Sequence, residues 1–252
     1  MVVNFLRAIL CVTAVAATAA EPLHVRIDKL VDGGQVGDRA VPSTDAEFVR
    51  RIYLGFTGRI PSGNEARAFL DSKAENKRGA LIDRHLASPE YARHLAVSFD
   101  VELMNRRADK HVKTPEWRQY LFDSFAANKP WDKLAGEMFI SDGDKNATTA
   151  NAPQAAAKFI MDRDMEVNLV TRDMARKFFG IDLQCAQCHD HPNIADFYQR
   201  DYYGIYAFLS RTYIFQPNKK VPALLAERPT GEVSFKSVFT SVSGLTRPRL
   251  PV

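Results

Sequence analysis

Cys185-Ala186-Gln187-Cys188-His189 is the string in this chain whose residue types and spacing best support chemistry. Two thiols three residues apart, followed at once by an imidazole, make the C-x-x-C-H pattern through which c-type haem is covalently attached. The spacing has a reason. Thiols one helical turn apart can each add to a haem vinyl group, while the adjacent imidazole swings under the ring to ligate iron. Cys185, Cys188 and His189 are therefore the candidate cofactor-binding residues, with His189 as the axial ligand.

Other chemistries compete for the same residues. In Cys185-Ala186-Gln187-Cys188-His189-Asp190-His191, the two thiolates and His191, with Asp190 or a distant residue, form an alternative zinc set. A thioredoxin-like redox pair would want a βαβ context and gives His189 no role. A disulfide between Cys185 and Cys188 would close a very short loop and stabilise little. Asp190 and His191 beside a metal suggest a hydrolase, but Asp190 more simply orients the imidazoles. No Gly-rich phosphate loop, zinc-protease histidine pair or nucleophile elbow accompanies them.

If haem is attached, its sixth ligand has to come from elsewhere. Every methionine precedes Cys185, and His191 is too close to His189 to reach the opposite face of one macrocycle. Upstream candidates are His94, which we favour, then His85, His111, Met161, Met165 and Met174, with water or a partner as the remaining sources. Two strong ligands suit outer-sphere electron transfer, whereas an open position admits small molecules. With one attachment motif and no set of catalytic residues, electron transfer is the first reading. A haem-free structural or interaction domain with a zinc site is the second, and the hydrolase is third.

The surrounding chain sets the context. Arg7, an apolar run over residues 8–17 and small residues through Ala20 read as a secretory signal, so Cys11 would be removed with residues 1–20. The apolar run is too short to span a bilayer, so the remainder is expected to be periplasmic, cell-surface or secreted, with no transmembrane helix. A formal charge of +4 on 252 residues, with basic and acidic side chains interleaved, gives nucleic-acid binding no support.

The elements that must position the motif are mainly helical. A polar, glycine-bearing lead covers residues 21–42. Thr44 with Glu47, and Ser62 with Glu65, are capping-box patterns ahead of helically spaced apolar residues. Ser88-Pro89-Glu90 and Thr114-Pro115-Glu116 each predict a cap, a proline in the first turn and an acid near the positive helix end. Leu81, Ile82 and Leu86 mark another helix, and Pro130-Trp131 opens one carrying Leu134, Met138 and Phe139. Residues 141–152 read as a surface loop. Helices are expected again from Gln154 and from Met165 through Phe179, so the motif follows a helix. After it, Phe197, Tyr198, Tyr202, Tyr203, Tyr206 and Phe208 crowd a short segment, with Tyr202, Tyr206 and Leu209 on one helical face, and this cluster could wall a macrocycle but is more simply core. Val233, Phe235, Val238 and Phe239 predict short strands in a β-containing tail over residues 216–252.

The strings Thr44-Asp45-Ala46-Glu47-Phe48-Val49-Arg50-Arg51-Ile52-Tyr53-Leu54, Phe56-Thr57-Gly58-Arg59-Ile60-Pro61, Leu86-Ala87-Ser88-Pro89-Glu90-Tyr91, Cys185 to Pro192 and Arg200-Asp201-Tyr202-Tyr203 are similar to a domain of unknown function. That domain occurs in planctomycete cytochrome-linked surface proteins. The resemblance covers roughly residues 27–215, and the helical domain itself is placed at 43–215. It implies exported, often longer proteins in which this domain follows a small cytochrome-c-like domain and precedes another surface domain. On that basis a redox partner protein, or other domains of a longer homologue, are the expected partners. The stop at Pro251-Val252 without a closing element is expected to mark a truncated chain.

Overall fold

The computed structural model describes residues 21–34, 37, 40–139 and 155–251. The expected signal segment and the expected surface loop at 141–152 lie outside the described residues. The chain divides into two units between Ser43 and Thr44. In the first, α1 (Leu23–Gly33) has no buried residue, and Lys29 pairs with Glu21 at 2.5 Å.

The second unit is built from helices whose starts are written in their first residues. Thr44 caps α2 (Asp45–Thr57) by accepting from the Glu47 N–H at 3.2 Å. Ser62 and Glu65 form a reciprocal capping box on α3 (Gly63–Asp71). After α4 (Lys77–Leu86), Ser88 caps α5 (Pro89–Met104), with Pro89 at the position where a missing N–H costs nothing.

The start of α6 (Thr114–Ala126) differs from expectation, because Thr114 is its first helical residue and not its cap. Its hydroxyl donates to Asp109 at 2.5 Å and its N–H donates to the same carboxylate at 3.0 Å. The preceding loop thus takes the group that would have capped the helix. Next come α7 (Trp131–Phe139), a single turn α8 (Lys158–Met161) and α9 (Val167–Phe178), the last capped by the Glu166 carboxylate.

Cys185–Gln187 form a 3₁₀ turn, followed by α10 (Gln199–Leu209). Two antiparallel hairpins complete the chain. Strand β1 (Thr212–Phe215) pairs with β2 (Leu224–Glu227), and β3 (Val233–Lys236) pairs with β4 (Ser243–Thr246), placing Phe235 opposite Gly244. Val233 and Phe235 lie in a strand as expected. Val238 and Phe239 instead sit in the hairpin connection, held by their own loop, where the Ser237 hydroxyl accepts the Phe239 and Thr240 N–H groups. The molecule is mainly α with a small antiparallel β region toward its C-terminus.

Two apolar clusters hold this unit together. The smaller gathers Val49, Tyr53, Phe69 and Leu81 from α2, α3 and α4. The larger runs from α5 and α6 through α10 and includes Trp117, Leu121, Phe159, Val170, Leu183, Ala186, Tyr202 and Ile205. Ala186, the residue between the two cysteines' flanks, is fully buried in it. That one methyl seats the motif turn on the core, while the thiols on either side face out.

A charged knot lies within the same core. Lys158 is fully buried, and its ammonium donates to Asp109 at 2.9 Å, to the Val112 carbonyl and to Asp162. Asp162 also accepts main-chain N–H groups from Lys110, His111 and Val112. Arg163 donates to Asp173 at 2.7 Å and to the Leu103 carbonyl at 2.8 Å, and its guanidinium lies over the Phe159 ring. Buried charges survive when they are paired and hydrogen-bonded throughout, and these are.

Candidate functional site

Helix α9 ends at Phe178 and the chain reaches Cys185 after a short irregular stretch that turns at Gly180, which is left-handed at φ 68°. The N–H groups of Cys188 and His189 donate back to the Cys185 carbonyl at 3.2 and 3.4 Å, which closes the turn over both cysteines. Neither cysteine is in a disulfide, and both are exposed. A depression of about 380 Å³ over the turn is lined by Asp182, Gln184, Cys185, Cys188, His189 and His191. The structure therefore brings together four of the five expected site residues.

The two histidines of the string are set up differently. The Nδ1 of His189 lies 2.6 Å from the Asp190 carbonyl oxygen, which can only accept. Nδ1 therefore carries the proton, and in the neutral ring the lone pair sits on Nε2, the tautomer in which a metal-binding imidazole is usually held. His191 is the reverse. Its Nδ1 accepts from the N–H groups of Asn193 and Ile194 at 3.2 and 3.0 Å, so the neutral ring keeps its proton on Nε2. Its own main-chain N–H donates to the Phe197 carbonyl at 2.8 Å. His191 thus organises the loop leading into α10.

The turn is fastened from several sides. From α9, Arg172 donates to the Gln187 amide oxygen at 3.0 Å. From α10, the Tyr203 hydroxyl donates to the Gln187 carbonyl at 3.2 Å, and burial raises the pKa of that phenol, with Cys188 a further contributor. From the hairpin connection, the Val238 N–H donates to the Cys188 carbonyl at 3.0 Å, and the Phe239 ring lies 5.0 Å from that of His189. Phe235 stacks on Tyr203 at 5.4 Å with the far end of its ring against Gly244, where a Cβ would come within 2.8 Å of Cζ.

The remaining sequence candidates lie elsewhere. His94 packs its ring against Gly58, the left-handed residue ending α2, so closely that a Cβ there would meet Nδ1 at 2.6 Å. His85 is buried edge-on to Tyr53, and His111 faces Asp164 at 3.3 Å. Met161 is buried in the main core. None of His94, His85, His111, Met161, Met165 and Met174 lines the depression. Tyr202, from the aromatic stripe, is fully buried with its hydroxyl on Asn168, which makes it core. Among the described residues, no group of three or more His, Cys, Asp or Glu is placed to hold a metal ion. No helix among them is long and apolar enough to cross a membrane.

Arg172, Gln199 and Phe239 join the site without having been singled out for it in the sequence. Tyr203 stood within the aromatic cluster, but nothing in a linear string separates it from its buried neighbour Tyr202. Gln199 had no signal at all.

Fold and site together describe a mainly helical module presenting two open thiols and an oriented imidazole. A protein-family model described as PSCyt2, a protein of unknown function (DUF1549), matches residues 26–213, and the chain belongs to that family. Comparison with curated proteins and with solved structures gives no match.

Proposed function

We propose that this is an exported c-type haem protein that transfers electrons, with the cofactor held by Cys185, Cys188 and His189. The observation that carries the reading is the combination of two exposed thiols on one turn with a His189 tautomer that leaves Nε2 for iron. The donor set fits that group. Thioether formation needs accessible thiols, and axial ligation needs an imidazole whose other nitrogen is already bonded. Apolar side chains that a flat macrocycle can cover are also at hand, since Phe239 is 76% exposed beside His189 and Val238 is 64% exposed next to it. When bound, the haem supplies one-electron chemistry. The chain supplies attachment, the axial imidazole, and the Asp190 carbonyl that fixes its orientation.

The sixth ligand comes from water or from a partner in this reading, because none of the upstream candidates lines the depression. Export agrees with the signal-like N-terminal residues and with the need to meet attachment machinery outside the cytoplasm. The zinc reading has less support, because His191 uses Nδ1 within its own loop and, among the described residues, no third ligand is gathered with the thiols.

The reading is tested with Cys185→Ala, Cys188→Ala and His189→Ala in chains exported from a host carrying haem-attachment machinery. Haem retained after denaturation, lost in the double cysteine variant and kept with altered spin state in His189→Ala, is the expected result. Equal haem content in the unaltered chain and the double cysteine variant contradicts it.

A further inference from the structure

Gln199 is 1% exposed, and its polar atoms are arranged at a cost. Its side-chain Nε2 donates to the Gln187 carbonyl in the motif turn at 3.3 Å and to the Lys236 carbonyl at the end of β3 at 3.2 Å. Both amide hydrogens are thereby used, which fixes which end of the amide is nitrogen. The Oε1 atom is left buried with no partner among the described residues. A buried polar atom without a partner is destabilising, so an apolar side chain of the same size would suit this place better if packing were its only task. The main-chain N–H of the same residue donates to the Asp190 carboxylate at 2.7 Å, and Asp190 supplies the carbonyl that takes the His189 Nδ1–H.

We infer that Gln199 is the positioning residue of the Cys185–His189 site, and that the β3–β4 hairpin, held through it, is a fixed wall of that site. One residue at the start of α10 holds the turn before Cys188, the segment after His189 and the hairpin. The hairpin answers with the Val238 bond to the Cys188 carbonyl, the Phe239 contact with His189 and the Phe235 stack on Tyr203. The family match ends at residue 213, so this wall comes from residues beyond it. The inference deepens the proposed reading of the site, and its test does not need haem.

In the haem-free protein, Gln199→Met removes both side-chain donors while keeping the volume. Amide hydrogen exchange and the His189 tautomer are followed by ¹⁵N NMR. The Val238 amide, bonded to the Cys188 carbonyl, should exchange about tenfold faster, the equilibrium worth of one to two neutral hydrogen bonds, while the interior amides of α9 change less than twofold. His189 should pass from a single Nδ1–H form to a tautomer mixture. An unchanged Val238 rate, or equal acceleration in α9, overturns the inference. Should Gln199→Met not fold, exchange in the unaltered chain decides. The Val238 amide must then exchange as slowly as the interior amides of α10, and exchange at loop rates overturns the inference. A failure of the haem reading alone would leave these exchange and tautomer results standing.

Discussion

The Lys158–Asp162 knot and the Cys185–His189 turn are both polar, and α9 joins them, yet they are opposite in construction. Adjacent residues of that helix reach in the two directions, Asp173 to Arg163 in the knot and Arg172 to Gln187 in the turn. In the knot every charge has a fixed partner, and Lys158, Asp162 and Arg163 are buried. In the turn the main chain is fastened at Gln187 and Cys188 and the Asp190 carboxylate is held by the Gln199 N–H, while the thiols remain exposed. The contrast separates residues that hold the fold from residues held ready by it. Lys158, Asp162 and Arg163 would attract attention as titratable side chains, but their saturation marks them as structural.

The sharpest way to break this division is in the knot. Asp162→Ala leaves the buried Lys158 ammonium with Asp109 as its one carboxylate and strands three main-chain donors, and should lower stability by about 3–5 kcal/mol in denaturant unfolding. A loss under about 1 kcal/mol would mean that the knot is not what holds the helices. Next in size, Gly244→Ala drives a methyl into the Phe235 ring and should cost about 1–3 kcal/mol. The same substitution should disturb the Phe235–Tyr203 stack, read as a change in near-ultraviolet circular dichroism.

A smaller effect tests the α2–α4 cluster. Burial first, then the neighbouring Arg84, holds the His85 pKa below its ordinary value near 6.5, with Glu90 and Glu65 opposing and Arg59 assisting. The unfolded chain therefore binds the proton more readily than the folded one. The stability from neutral His85 is present above about pH 6.5 and lost as the pH falls through and below that value, with a slope of at most about 1.4 kcal/mol per pH unit. His85→Leu should flatten that limb in urea midpoints measured against pH, and an unchanged slope would assign the acid limb to other groups. Smallest of all, Cys185→Ser and Cys188→Ser should move stability by no more than about 0.5 kcal/mol, as exposed positions do. A larger loss would make the thiols part of the fold and erase the contrast.

How far this was legible in the sequence depends on the range of the interactions involved. Ser62 with Glu65, and Ser88 with Pro89, announce helices because a cap is complete within four residues. Thr114 misled for the complementary reason, since its hydroxyl is claimed by Asp109 from the preceding loop. Strands β1 and β2 are four residues each and carry no long alternation, so only their pairing reveals them. The thiols and His189 were visible as a local string. The opposite tautomers of His189 and His191 were not, because they are set by carbonyl and N–H groups that the folded loop brings to the rings. Gln199 was least visible of all, since its role exists only once the turn, α10 and the hairpin have met.

The most direct test of the central claim is a pyridine haemochrome spectrum together with the intact mass of the unaltered chain, exported in a host that attaches haem. The account predicts a c-type haemochrome and a mass raised by one haem that survives denaturation. A folded protein of unmodified mass, with both thiols still titratable, would contradict it.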